Sequence, residues 1–261
     1  MTRDFGGEAA GYYDRYRHGY PGAVIDALVG AFGLTGQDVS VDLGCGTGQL
    51  TLPMAGRVRA VIGMDVEPDM LEHARQAARD ADVRNVMWVL GADSDVPALR
   101  RLLGDRSVAA VTIAQALHWM NRQELFGAVV PLLRPGGGIA VVTNGTPLWL
   151  QETDWSRALR DVLERWLGTT LTDACGTDEQ SQRRYSEDLT AAGFDVVTTA
   201  ADYVASLDMD QLVGGVYSAM GRRIPAASQR PAFAGQIREA VAPQDHFSER
   251  VHVTIVAGTR C

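Results

Sequence analysis

The 261-residue chain contains no lysine, and all 24 of its basic residues are arginine. That absence removes Schiff-base chemistry, a pyridoxal phosphate anchor and a phosphate-loop lysine. Cysteine is scarce too. Cys45, Cys175 and Cys261 lie far apart and offer neither a metal-ligand cluster nor a disulfide framework. No apolar run reaches the ~18 residues a membrane span needs. The stretch Met1-Thr2-Arg3-Asp4-Phe5-Gly6-Gly7-Glu8 lacks the apolar core of a signal peptide. A cytoplasmic protein with no membrane partner is the expectation. Positive charge is also short, with a net charge of −8. The adjacent arginines, Arg100-Arg101, Arg183-Arg184 and Arg222-Arg223, are scattered and form no basic stripe. Nucleic acid is therefore not an expected partner.

What is present is enough apolar residue, 46%, for one large core. Apolar strand-like runs at Val39–Leu43, Val58–Asp65, Asn85–Gly91, Val108–Ala114 and Gly138–Thr143 alternate with helical patterns. Those helices are expected over Gln49–Gly56, Pro68–Ala81, Ala98–Leu103 and Arg122–Leu133. Short strands that are apolar on both faces, each followed by a helix, predict an α/β fold with a doubly wound, mostly parallel sheet. Two later strands, Phe194–Thr199 and Val251–Ala257, complete seven and suit an antiparallel edge. The expected core is residues 36–143 with 194–204 and 246–261. Residues 1–35, 144–193 and 205–245 are expected to form a helical lid over the carboxyl ends of the strands, where such sheets bind ligands.

The first strand runs into Val41-Asp42-Leu43-Gly44-Cys45-Gly46-Thr47-Gly48. Glycines at alternate positions turn the chain tightly and let a ligand lie on the backbone. A dinucleotide fingerprint, G-x-G-x-x-G, would need glycine where Gln49 stands. Asp42 would face a pyrophosphate unfavourably and suits a ligand with a cationic amine. Asp65 ends the second strand about 20 residues on, where an acid reads ribose hydroxyls.

These residues resemble motif I and the following acidic motif of the class I S-adenosylmethionine-dependent methyltransferases. The resemblance covers residues 38–143 motif by motif, and it implies a Rossmann-like fold and a single methyltransferase domain over 1–261. Gly91-Ala92-Asp93-Ser94 resembles the stretch that meets adenine. Ala114-Gln115-Ala116-Leu117-His118-Trp119 resembles the loop of small-molecule methyltransferases of the ubiquinone-biosynthesis and trans-aconitate type. Tyr12-Tyr13-Asp14-Arg15-Tyr16-Arg17 resembles their N-terminal segment, in which an arginine reaches the methionine carboxylate. The cofactor set that the resemblance implies is Arg17, Asp42, Gly44, Cys45, Gly46, Gly48, Asp65, Val66, Met70, Ala92, Asp93, Ser94 and Gln115. The cofactor is then S-adenosyl-L-methionine, and S-adenosyl-L-homocysteine is the product.

His118 is the one histidine near that site, and its ordinary pKa suits a base at neutral pH. It serves as the base or lines the pocket. No carboxylate and histidine cluster suggests a metal. Trp149, Trp155, Trp166, Tyr217 and Phe233 suggest an apolar or aromatic small-molecule acceptor. Arg222-Arg223 fits a solvated helix end or a contact to an acceptor carboxylate. Other readings remain open here: a cofactor-binding protein or cyclase without methyl transfer, and an NAD-dependent oxidoreductase.

Overall fold

The computed structural model describes residues 5–260. Seven strands form one sheet: β1 (Val39–Leu43), β2 (Ala60–Asp65), β3 (Val86–Leu90), β4 (Val108–Ala114), β5 (Leu133–Thr143), β6 (Asp195–Asp208) and β7 (His246–Thr259). Their order is β3-β2-β1-β4-β5-β7-β6. The first five pair in parallel, and β7 runs antiparallel to both β5 and β6. This is the doubly wound, mixed sheet that the alternation of strand and helix predicts.

Period-two alternation explains how the sheet buries both faces. Val41, Leu43, Ile62, Met64, Val111, Ile113, Ile139 and Val141 point to one side. There they pack on Leu125, Phe126 and Val129 of α6 (Arg122–Val129) and Leu189 of α8 (Glu179–Ala191). Val61, Ala110, Ala140 and Val142 point to the other. They receive Val24, Ile25, Leu28 and Phe32 of α2 (Gly22–Phe32). The remaining helices are α1 (Glu8–Tyr16), α3 (Thr51–Ala55), α4 (Pro68–Asp80), α5 (Val96–Leu103), α7 (Asp154–Leu167), α9 (Met209–Met220) and α10 (Arg230–Val241). Pro68 at the first helical turn of α4 lacks only an N–H that would be unpaired there anyway.

The last two strands depart from the expected lengths. Both run for 14 residues. Only Thr254–Thr259 of β7 pair with β5. Residues 246–253 pair with 201–208 of β6 alone, as a two-stranded arm that extends past the carboxyl end of β5. The strand patterning was lost because β6 is exposed along most of its length and carries polar and small residues. The arm is held by a third apolar cluster, in which Leu207 and Phe247 pack against Trp155, Leu159, Leu212, Tyr217, Phe233 and Ile237 of α7, α9 and α10.

Helix α1 lies across α9. A Cβ added to Gly214 of α9 would run into the ring of Tyr16. Glu8 and Arg230 form an ion pair between α1 and α10, and the Arg230 guanidinium lies 5.8 Å from the Tyr12 ring. Gly214→Ala is therefore expected to destabilise the protein although alanine is the better helix former. Overpacking costs about 1–3 kcal/mol, and helix propensity returns about 1 kcal/mol. A fall in Tm of a few degrees, about 2–4 °C per kcal/mol at this size, checks it by thermal unfolding.

Candidate active site

The turn after β1 has the conformation that its glycines require. Gly44, Gly46 and Gly48 take φ of 67°, 55° and 91°. Gly44 is doubly constrained, since a Cβ there would overlap the Cβ of Ala116 in the loop after β4. The turn is pinned from the next strand: the N–H groups of Gly44 and Cys45 both donate to Met64 O, at 2.8 and 3.1 Å. The helix that follows is shorter than the expected 49–56, and α3 spans only Thr51–Ala55.

Two carboxylates stand behind this turn in different environments. Asp42 is 2% exposed, and its two oxygens accept hydrogen bonds from Thr51 Oγ1 at 2.5 Å and Thr112 Oγ1 at 2.7 Å. Burial is the main force on it, and the nearby Asp65 charge adds to that. Together they push its pKa up to about 6 against the hydroxyls. Asp65, at the end of β2, accepts from Gly46 N–H and Glu67 N–H, each at 2.9 Å. Burial raises its pKa, and these backbone donors hold it back. The Gly46 and Glu67 donors fall on different Asp65 oxygens and Val66 N–H adds a third, so about one of the carboxylate's roughly four acceptor positions remains.

A cavity of about 890 Å³ opens over the carboxyl ends of the strands. It sits near the top of the ~300–1,000 Å³ that ligand pockets span. From the turn and β2, its wall takes Asp42, Gly44, Cys45, Gly46, Asp65, Val66 and Met70. From the loops after β3 and β4 it takes Ala92, Asp93, Gln115 and His118, and from the N-terminal segment Arg17. Gly48 and Ser94 stand back from it: a Cβ on Gly48 would press on Trp88, and Ser94 is in a 3-10 turn, Asp93–Asp95. Asp93 ties two loops together by accepting from Asn121 N–H at 2.9 Å. Gln115 has φ of 56°. Arg17 donates from Nε to Ser218 Oγ of α9 at 2.8 Å, and its guanidinium lies 5.5 Å from the Tyr13 ring.

His118 lies in the 3-10 turn Leu117–Trp119, with its ring 4.9 Å from that of Trp119. Burial lowers its pKa, and Asp173 opposes the shift. Its imidazole is thus held neutral at physiological pH. Segment 169–177, between α7 and α8, covers it, so that a Cβ on Gly176 would meet His118 Cβ at 3.1 Å. Tyr185 of α8 fastens that segment by donating to Gly176 O at 3.0 Å.

The aromatic wall differs from the one expected. Trp155, Tyr217 and Phe233 are 6%, 5% and 0% exposed and belong to the third core cluster, with Trp166 packed against it. Of the five aromatics only Trp149 lines the cavity; Tyr13, Tyr16, Tyr20, Trp119 and Tyr203 line it as well. Helical spacing alone does not separate a residue facing a core from one facing a chamber. Arg222 and Arg223 are exposed at the cavity wall, on a 3-10 turn, Gly221–Arg223, after α9. Glu249 of β7 and Asp173 also line the cavity and were not singled out from sequence. Among the described residues no group of three or more His, Cys, Asp or Glu could hold a metal ion. No described helix is long and apolar enough to cross a membrane.

Comparison with known proteins agrees with this geometry. The profile of a family described as "Methyltransferase domain" matches residues 41–137, which run from Val41 in β1 and the glycine turn through the His118 loop into β5. An uncharacterised methyltransferase of Mycobacterium tuberculosis is 34% identical over 165 residues, 63% of this chain and 60% of the relative. The Saccharomyces cerevisiae protein named "Probable S-adenosylmethionine-dependent methyltransferase CRG1" is 28% identical over 130 residues, 49% of this chain and 43% of that protein. The chain thus spans about 60% of the length of the first of these relatives. In shape it is similar to the YcgJ protein of Bacillus subtilis, with a TM-score of 0.57 at 16% identity over 92% of this chain and 99% of the other. It is also similar to the precorrin 8w decarboxylase of Methanobacterium thermoautotrophicum, with a TM-score of 0.55 at 17% identity over 94% and 93%. Residues 41–137 thus match a methyltransferase domain family, and the sheet order around them is that of a fold shared with these solved structures.

Proposed function

We propose that this protein transfers a methyl group from S-adenosylmethionine to a small-molecule acceptor, and that residues 1–261 act as one methyltransferase domain whose cap encloses the acceptor. The observation that carries this reading is the pairing of Asp65 with the glycine turn at one end of a cavity that continues past His118. The cradle suits a nucleoside-bearing cofactor. Gly44 and Gly46 keep the backbone bare beneath the cavity, and Asp65 retains an acceptor position. In this reading Asp65 holds the ribose, and Ala92 and Asp93 meet the adenine. Val66 and Met70 give apolar contact, and Arg17 meets the carboxylate. Asp42 places negative charge behind the amine. Cys45 and Gln115 complete the wall, and Gly48 and Ser94 support it from behind.

S-adenosylmethionine supplies, when bound, a methyl group on a sulfonium that leaves as a neutral thioether. With the leaving group so activated, the chain mainly has to hold the acceptor in line and keep water out. Segment 169–177 and helix α1 do the second. His118, neutral and facing the cavity, accepts the proton that an acceptor nucleophile gives up. His118→Ala is expected to lower kcat by about 10²-fold or more, the usual worth of a general base, with S-adenosylhomocysteine affinity unchanged. The wild-type rate should show an acid limb displaced below the ordinary histidine value of 6.5. An unchanged kcat would leave His118 as a wall residue only.

The proposal as a whole is tested by incubating the protein with methyl-labelled S-adenosylmethionine and a metabolite panel. Transfer of label to a small acceptor supports it. Bound cofactor with no turnover on any acceptor favours a binding protein, and tighter binding of NAD than of S-adenosylhomocysteine favours an oxidoreductase.

A further inference from the structure

Along β7 the residues that face inward read Phe247, Glu249, Val251, Val253 and Ile255. Four of the five are at most 4% exposed. Glu249 is the one carboxylate in that row. Its cross-strand partner on β6 is Ala205, which offers it no polar side chain. It is part-buried, lines the cavity, and forms no hydrogen bond or ion pair among the described residues. The charged and titratable groups that face it are Arg17, which is engaged with Ser218, and Tyr203 of β6. The cavity it lines has apolar wall residues, among them Trp149, Leu163, Leu207, Val216 and Val251, and also the exposed Arg222 and Arg223. A carboxylate in such a place costs stability unless something pairs with it. Leu207 and Phe247 hold the arm, and Glu249 is not part of that cluster; the opposite charge that faces it is Arg17, which is already engaged with Ser218.

We propose that Glu249 is the specificity-determining residue of the acceptor chamber, and that its carboxylate receives a protonated amine on an otherwise apolar acceptor. The inference rests on the methyl-transfer reading only in calling the partner an acceptor. The anchoring is a charge-assisted hydrogen bond to a part-buried carboxylate, a contact that discriminates by charge. Burial raises the Glu249 pKa, against the weak pull of Arg17. The folded protein therefore holds the proton to higher pH than the unfolded chain does. Stability is lost as pH rises from the ordinary glutamate value through the folded one.

The test uses the full chain and three probes with the same phenyl ring and two methylenes: 2-phenylethylamine, 2-phenylethanol and 3-phenylpropionate. Calorimetric titrations are run with and without saturating S-adenosylhomocysteine. The amine is expected to bind wild type most tightly, and Glu249→Gln to weaken it by about 10- to 100-fold while S-adenosylhomocysteine affinity stays the same. Without ligand, Glu249→Gln and Glu249→Leu should both melt at least about 2 °C higher than wild type in mildly alkaline buffer, with the gain shrinking in acid. Four results overturn the assignment: no binding of the amine, equal or tighter binding of the alcohol or the carboxylate, an amine affinity that survives Glu249→Gln, or a lower alkaline Tm in both variants. Failure of wild type to bind S-adenosylhomocysteine overturns the methyl-transfer reading instead. The amine titration without cofactor still decides Glu249.

Discussion

Replacing Asp65 by alanine is expected to weaken S-adenosylhomocysteine binding by about 100-fold. A hydrogen bond to a charged group is worth about 1.5–3 kcal/mol, and the reading above gives Asp65 one such bond to the ribose. The same carboxylate accepts from Gly46 N–H and Glu67 N–H, so alanine also frees these backbone donors at the edge of the turn. Asp65→Asn separates the contributions. Its carbonyl oxygen keeps one acceptor position, and its NH₂ cannot accept at the other. Calorimetry should therefore rank wild type above asparagine and asparagine above alanine. Equal affinities across the series would place the ribose elsewhere. Acid should act like the mutation, because burial raises the Asp65 pKa and a protonated carboxyl loses part of its acceptor strength.

Gly44→Ala carries the second large effect. The residue sits at φ 67°, which costs an L residue about 1–2 kcal/mol. The added Cβ also overlaps Ala116 Cβ, a backbone-fixed atom that no rotamer change can move away. Overpacking of this kind adds about 1–3 kcal/mol. The two backbones must separate, and the loop that moves is the one carrying Gln115 and His118. The expected result is a loss of about 2–5 kcal/mol in urea unfolding, together with weakened S-adenosylhomocysteine binding. A variant as stable as wild type would mean that the turn is softer than its geometry indicates.

The glycine turn was legible in the sequence because its cause is local. Gly44, Gly46 and Gly48 report a backbone conformation at their own positions, and Asp65 follows at the end of the next strand. The five parallel strands were legible for a similar reason, since each is apolar on both faces. The cap was not legible. Trp155, Tyr217 and Phe233 share the helical spacing of residues that face a ligand, yet they pack against one another and against Phe247. Only the relative placement of α7, α9, α10 and the arm decides which face is core. Glu249 was missed because the alternation of Val251, Val253, Ile255 and Ala257 marks that face by its apolar residues. A charged residue at the next inward position reads as the end of the strand. A carboxylate at an in-phase position of an apolar stripe is the signal that would have found it.

The arm formed by 201–208 and 246–253 brings Tyr203, Leu207, Glu249 and Val251 to the cavity, and each rung of it is fixed by pairing with one neighbour only. Side chains alternate along a strand, so adding or removing two residues on each side preserves which ones face inward. Each such step shifts the end of the arm by about 7 Å, two residues of strand rise. The depth of the cavity is thus set in discrete increments, independently of the register that fixes the end at Asp65. Growing the ladder by two residues per strand would deepen the cavity and leave the hydrogen bonds of Asp65 to Gly46 and Glu67 in place.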